Sequence, residues 1–145
     1  MILRSLDKHR DVGLLILRVG IGVMFLFHGY PKLAGGPETW SMVGLAVSNF
    51  GLSAYPAFWG FMAAISEFGG GLLLIAGFFL RPACVMMLCV MITATTMHLR
   101  QGDPFATFSH PIEDGIVFLS LILIGPGRFS LDDKLAPRKK SPPPS

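Results

Sequence analysis

Apolar residues arrive along this chain in long runs separated by short polar breaks, and the runs are too long for strands. The first extends over residues 12–30, from VGLLILRVG to LFHGY, with Pro31 behind it. A second covers residues 56–80, a third residues 82–99, and a fourth residues 112–126. Runs of this length suit helices that cross a bilayer about 30 Å thick. Lipid offers the backbone no hydrogen bonds, so a crossing segment must satisfy its own, as a helix does. The fold class expected is therefore all-α, an integral membrane four-helix bundle forming one domain over residues 1–133.

The breaks between runs supply the connections. Arg81-Pro82 reads as a tight turn, with Pro82 acceptable in the first turn of the third span. Arg100-Gln-Gly-Asp-Pro opens a loop expected over residues 100–111, and Pro111 starts the fourth span. Between spans one and two, Trp40, Met42, Val43, Ala46, Val47 and Phe50 recur at helical spacing in a stretch too short and mixed to cross. This pattern predicts a short amphipathic helix on the membrane surface. Residues 1–11 are polar and basic and are expected along the interface. The run after them resembles a signal peptide, but it is long and interrupted by Arg18, so it reads as a retained first helix. Residues 134–145 form a basic, Pro-rich tail expected to be disordered.

Composition sharpens this picture. Of 145 residues, 52% are hydrophobic and 14% charged, against about 25% charged in soluble domains. A water-soluble chain of this size could not hide so much apolar surface, so lipid is the expected partner. The net charge of +3 does not point to nucleic acid, because the basic residues flank the apolar runs instead of forming a stripe. Nine lysines and arginines (Arg4, Lys8, Arg10, Arg81, Arg128, Lys134, Arg138, Lys139 and Lys140) fall on one side of the four-span layout. Lys32 and Arg100 fall on the other. The positive-inside rule then predicts both termini in the cytoplasm. Cys84 and Cys89, five residues apart on one helix, point about 140° apart and read as two small hydrophobes.

Candidate chemistry lies in the few ionisable groups inside the runs. Gly60, Ala64, Glu67 and Gly71 follow at steps of three or four, so Glu67 points along a small-residue face towards neighbouring helices. Gly20 and Gly22 form a matching pair in span one, and Gly69-Gly70-Gly71 permits close approach in a bundle. Glu67 lies roughly 16 Å deep and Arg18 roughly 9 Å from the opposite surface, at about 1.5 Å per residue. A charge at mid-span costs about 2.5–3.5 kcal/mol on the insertion scale, so an Arg18–Glu67 ion pair, or a protonated Glu67, is expected. Such a pair serves helix registry or function, and the sequence leaves both open.

A second constellation gathers at the outer ends of the spans. His28 and Lys32 share a face at the end of span one, His98 ends span three, and His110, Glu113 and Asp114 open span four. With Glu67 below, these groups predict a cup in the outer half, lined by His28, Lys32, Glu67, His98 and Glu113. A quinone headgroup suits it: histidine donates to a carbonyl oxygen and a carboxylate accepts a quinol proton. Imidazole also suits a metal or a haem, but no pair within one helix has metal-ligand spacing, so no metal site is assigned. A single histidine at a helix end is most often only an interfacial polar group. There is no P-loop, dinucleotide fingerprint, CxxC or GxSxG.

Three segments carry a family resemblance: LLILRVGIGVMFLFHGYPKL (residues 14–33), SEFGGGLLLIAGFFLRPAC (66–84) and IEDGIVFLSLILIGPGRFSLDD (112–133). Together they resemble the DoxX family of small bacterial membrane proteins. The shared polar positions would be Arg18, His28, Lys32, Glu67, Arg81 and the 125–132 end. The resemblance implies a four-helix protein of the bacterial inner membrane. It also implies a redox setting, since the family is named for components of quinone-linked oxidoreductases, including thiosulfate:quinone oxidoreductase. No soluble domain here supplies thiosulfate chemistry, so that setting implies a partner oxidoreductase chain. A membrane subunit binding quinone is the leading expectation; a non-catalytic scaffold or assembly factor is the alternative. Small-solute transport would require a homo-oligomer, because four short spans leave little room for alternating access.

Overall fold

The computed structural model describes residues 8–136. Among them are helices α1 (Arg10–Ala34), α2 (Gly36–Gly44), a 3₁₀ helix (Leu45–Phe50), α3 (Pro56–Ala76), α4 (Leu80–Gln101), α5 (Phe105–Ile124) and the short α6 (Leu131–Leu135), with no strand. Helices α1, α3, α4 and α5 are each long and apolar enough to cross a membrane. Many of their large apolar side chains face outwards, among them Ile16, Phe27, Ile92, Ile116 and Leu123. Lipid can accommodate that surface; water would oppose it.

Close backbone approach sets the helix order. Antiparallel α1 and α3 meet at Gly22, where an added Cβ would lie 2.7 Å from the Gly71 carbonyl oxygen, and at Gly29, where it would overlap the Phe68 backbone. Helix α2 then continues along the N-terminal half of α3. There Trp40 presses on Gly60, and Gly44 presses on Pro56. Met87 of α4 fills the space over Gly70, while α5 rests Gly115 on Leu88 and Met91 of α4. Of the small pair in α1, Gly22 makes the contact and Gly20 faces outwards.

The buried core, including Phe25, Leu74, Cys84, Met87, Phe118 and Leu121, runs between α1, α3, α4 and α5. Cys84 is buried within it, Cys89 is exposed, and both are free. The backbones of α1 and α5 hardly approach one another. They meet through Phe25 and Phe118, whose rings pack edge-on with centroids 5.0 Å apart.

Helix boundaries depart from expectation at four places. Helix α1 passes through Pro31 and ends at Ala34, its last turn closed by the Gly35 N–H donating to Pro31 O at 3.0 Å. The turn between α3 and α4 lies at residues 77–79, four residues before Arg81-Pro82. Gly77 ends α3 at φ +63°, and its N–H donates to Leu74 O, a stop signal that outranks the later proline. Helix α5 begins at Phe105 and contains Pro111, so the expected loop over residues 100–111 shrinks to residues 102–104. Proline inside a membrane helix is tolerated when neighbours re-satisfy the freed groups. The amphipathic stretch after span one is divided between α2 and the 3₁₀ helix. It lies along α3 with Gly44 buried and with Met42 and Phe50 exposed.

One end of the bundle is knitted by the segment after α5. Asp132 accepts from Phe79 N (2.9 Å) and Leu80 N (3.0 Å), capping α4. Its own N–H donates to Gly77 O at 3.0 Å. Arg128 N donates to Asp11 Oδ1 at 3.1 Å, and Gly127 lies against Leu14. Arg81 Nε reaches Ile122 O at 3.0 Å. The start of α1 and α6 are thereby at the same end as the α3–α4 turn. Lys134 and Leu135, expected in the tail, belong to α6. The expected interfacial course of residues 1–7 and the disorder expected at 137–145 lie outside the described residues.

Candidate functional site

Glu67 sits on the small-residue face of α3 with Gly60, Ala64, Gly70 and Gly71, and is 2% exposed. It is eleven residues along a 21-residue helix, about 16 Å from its start and about 14 Å from its end. A carboxylate here needs a counter-charge, which comes from Lys32. Its Nζ lies 2.6 Å from both Oε1 and Oε2, and the lysine is about one third exposed. Lys32 occupies the last turn of α1, where the unpaired helix carbonyls favour a cation. The carbonyl of Lys32 itself accepts from Trp40 Nε1 at 2.9 Å, and the Trp40 ring packs edge-on against Phe61. The break between α1 and α2 is therefore clamped beside the ion pair, level with the middle of α3.

The expected Arg18–Glu67 pair does not form. Antiparallel register sets Arg18 against Gly77, ten residues along α3 from Glu67, which is roughly 15 Å. Arg18 is fully buried there. Its Nη2 donates to Phe129 O at 2.6 Å, while Nε and Nη1 have no hydrogen-bond partner. Asp132 is the acid within electrostatic reach of this guanidinium. Gly77 is required at this point by its φ of +63°, and a Cβ there would also crowd Ser130 and Arg18 Nη1. Arg18 thus anchors the segment after α5, and Glu67 belongs to Lys32.

The expected cup divides into three parts. Lys32 and Glu67 form the first. The second lies across the seam between α1 and α5: half-buried Asp114 is within electrostatic reach of His28 from α1 and of Glu113 and His110 from its own helix. His28 is exposed, with its ring 6.0 Å from that of Phe25. Glu113 is exposed as well. The third is His98, whose Nδ1 lies 2.7 Å from Asp103 Oδ2 just past the end of α4. His98 closes a local turn and is not brought to Glu67.

Sequence reasoning missed Trp40 as the clamp on α1, Asp103 as the partner of His98, and Asp132 as the cap of α4. Ser130 caps α6 by accepting from Asp133 N, a local contact that gives no signal of the reach of Asp132 to Phe79 and Leu80. Trp40 had none beyond its helical spacing. Two clefts open elsewhere. A groove of about 300 Å³ between α4 and α5 is lined by Met91, Thr95, Pro111, Ile112 and Gly115. Another of about 380 Å³ lies between the 3₁₀ helix and the end of α4. Among the described residues, no three His, Cys, Asp or Glu side chains are grouped to hold a metal ion.

Comparison with known proteins agrees with this architecture. The DoxX family model matches residues 13–99, from α1 to near the end of α4, and so includes Arg18, Lys32, Trp40 and Glu67. Two curated relatives come from Escherichia coli (strain K12). Inner membrane protein YqjF is 28% identical over 131 residues, covering 88% of this chain and 95% of its own. Inner membrane protein YphA is 28% identical over 131 residues, covering 85% and 90%. No solved structure matches. With four apolar helices, a family match over more than half its length and relatives of the inner membrane, this chain belongs to the DoxX family as a multi-pass inner-membrane protein.

Proposed function

We propose that this protein is a membrane subunit of a quinone-linked redox system, taking a quinone headgroup at the seam between α1 and α5. One observation carries the reading: Phe25 of α1 packs on Phe118 of α5 and lies 6.0 Å from the His28 ring, which brings the imidazole to the seam, within electrostatic reach of Asp114 one turn before Phe118. Imidazole supplies a donor to a quinone carbonyl, and the carboxylate supplies an acceptor for a quinol hydroxyl. Phe25 and Phe118, buried and packed edge-on, form the floor beneath the same seam. Electrons pass to or from a partner oxidoreductase chain, the setting that membership of the DoxX family suggests. Within this reading the Lys32–Glu67 pair fixes the wall of the site.

We further propose that the knitted end of the bundle, and with it the chain termini, faces the cytoplasm: nine lysines and arginines fall on that side of the four-span layout, the side the positive-inside rule assigns to the cytoplasm. The test of the ligand is direct. Protein purified in mild detergent should retain extractable quinone, and added ubiquinone should raise its unfolding temperature. His28→Ala and Asp114→Asn should each abolish the shift while leaving the helix content intact. Absence of both bound quinone and any quinone-dependent shift in the native protein overturns the proposal.

A scaffold role is the second reading, favoured by one feature: both Glu67 oxygens are already taken by Lys32, and neither of the two clefts described above is lined by the pair. On that reading, Glu67→Gln and His28→Ala leave the activity of an associated complex unchanged.

A further inference from the structure

The cleft of about 380 Å³ between the 3₁₀ helix and the end of α4 has a polarity that the groove between α4 and α5 lacks. One wall presents Met42, Leu45 and Met97; Arg100, Gln101 and Asn49 supply the polar part. We propose that this cleft binds the phosphate headgroup of an anionic phospholipid, with Arg100 as the anion-binding residue.

Charge accounting at this end of the bundle singles out Arg100. Arg18 is buried at the opposite end, and Lys32 is bound to Glu67. Arg100 is exposed in the last turn of α4, and among the described residues its guanidinium donates to no acceptor. The nearest acid in sequence, Asp103, is taken by His98. The cleft lining therefore holds a cation and no carboxylate, a combination that selects an anion. A guanidinium binds phosphate through two parallel N–H groups, which a lone exposed lysine does not match.

Depth and size identify the anion's carrier. Helix α4 has 22 residues, about 33 Å, so its start and its end lie at opposite headgroup levels. The cleft flanks its end, where lipid phosphates sit. The two methionines and Leu45 continue from the cleft as an apolar wall suited to an acyl chain. Flexible methionines adapt to such chains. The volume falls at the small end of ligand sites, about 300–1,000 Å³. A zwitterionic choline headgroup would bring a second cation to a cleft with no acid to receive it.

Native mass spectrometry of the delipidated full chain decides the matter, with phosphatidylglycerol or phosphatidylcholine added in detergent. Phosphatidylglycerol should be retained roughly tenfold more, the size expected for a charge-assisted contact. Arg100→Gln, at an exposed position that does not threaten folding, should erase the preference. Ala46→Phe should fill the cleft and remove the tightly held adduct. Equal retention of the two lipids, or an unchanged preference in Arg100→Gln, overturns the proposal. So does inorganic phosphate raising the unfolding temperature as much as phosphatidylglycerol, since the cleft would then take a free anion. Quinone binding at the α1–α5 seam is a separate site, and its success or failure leaves these outcomes untouched.

Discussion

Lys32 and Glu67 show how a single charge in a membrane core is made tolerable. With both oxygens of Glu67 held at 2.6 Å, removal of the lysine strands a carboxylate that is 2% exposed. Breaking a buried pair costs about 3–5 kcal/mol, and the partial exposure of Lys32 sets the lower end as the expectation. Lys32→Met should therefore destabilise the protein by about 3 kcal/mol in a reversible detergent unfolding titration. Lys32→Met combined with Glu67→Leu should recover most of that loss, because no charge is then left alone. If the double variant is no better than Lys32→Met, the pair does not carry the effect. The need for a partner was legible from Glu67 alone. Which cation answers it was not, because Arg18 and Lys32 are both cations of the same helix, fourteen residues apart, and only register distinguishes them.

Helices here are held by approach distance more than by side-chain volume. Gly22 and Gly71 each leave room for the other's carbonyl, so α1 and α3 touch through their backbones. Gly22→Leu should separate them, and by shifting α1 it should also lengthen the Lys32–Glu67 contact. The measurement is a Cys–Cys crosslink between Tyr30→Cys and Phe68→Cys, whose rings lie 6.2 Å apart, formed in the parent and lost once Gly22→Leu is added. The small-residue face of α3 was evident from its spacing, and the structure buries every member of it. Helix ends were less evident. Pro31 and Pro111 were read as boundaries because proline breaks helices in water, yet both lie inside helices of this bundle. Gly77, hidden within a longer apolar run, was the real stop.

At the scale of the whole molecule, the segment after α5 closes one end. Phe79 holds φ +47°, a conformation unfavourable for a bulky side chain, and Asp132 stabilises it by accepting from its N–H. Asp132→Ala should cost about 1–2 kcal/mol, typical of a lost helix cap, in the same unfolding titration. Asp132→Asn, which keeps one acceptor, should cost less. The class of the protein followed from the sequence alone: four apolar runs can be stable only as helices in lipid, and small residues at helical spacing fix which faces pack. Partner choice did not follow. Whether Arg18 meets Glu67 or Phe129 depends on how helices distant in sequence slide past one another. Local spacing carries no information about that offset. It is set by the Gly22–Gly71 contact and by the folded-back segment that receives Arg18.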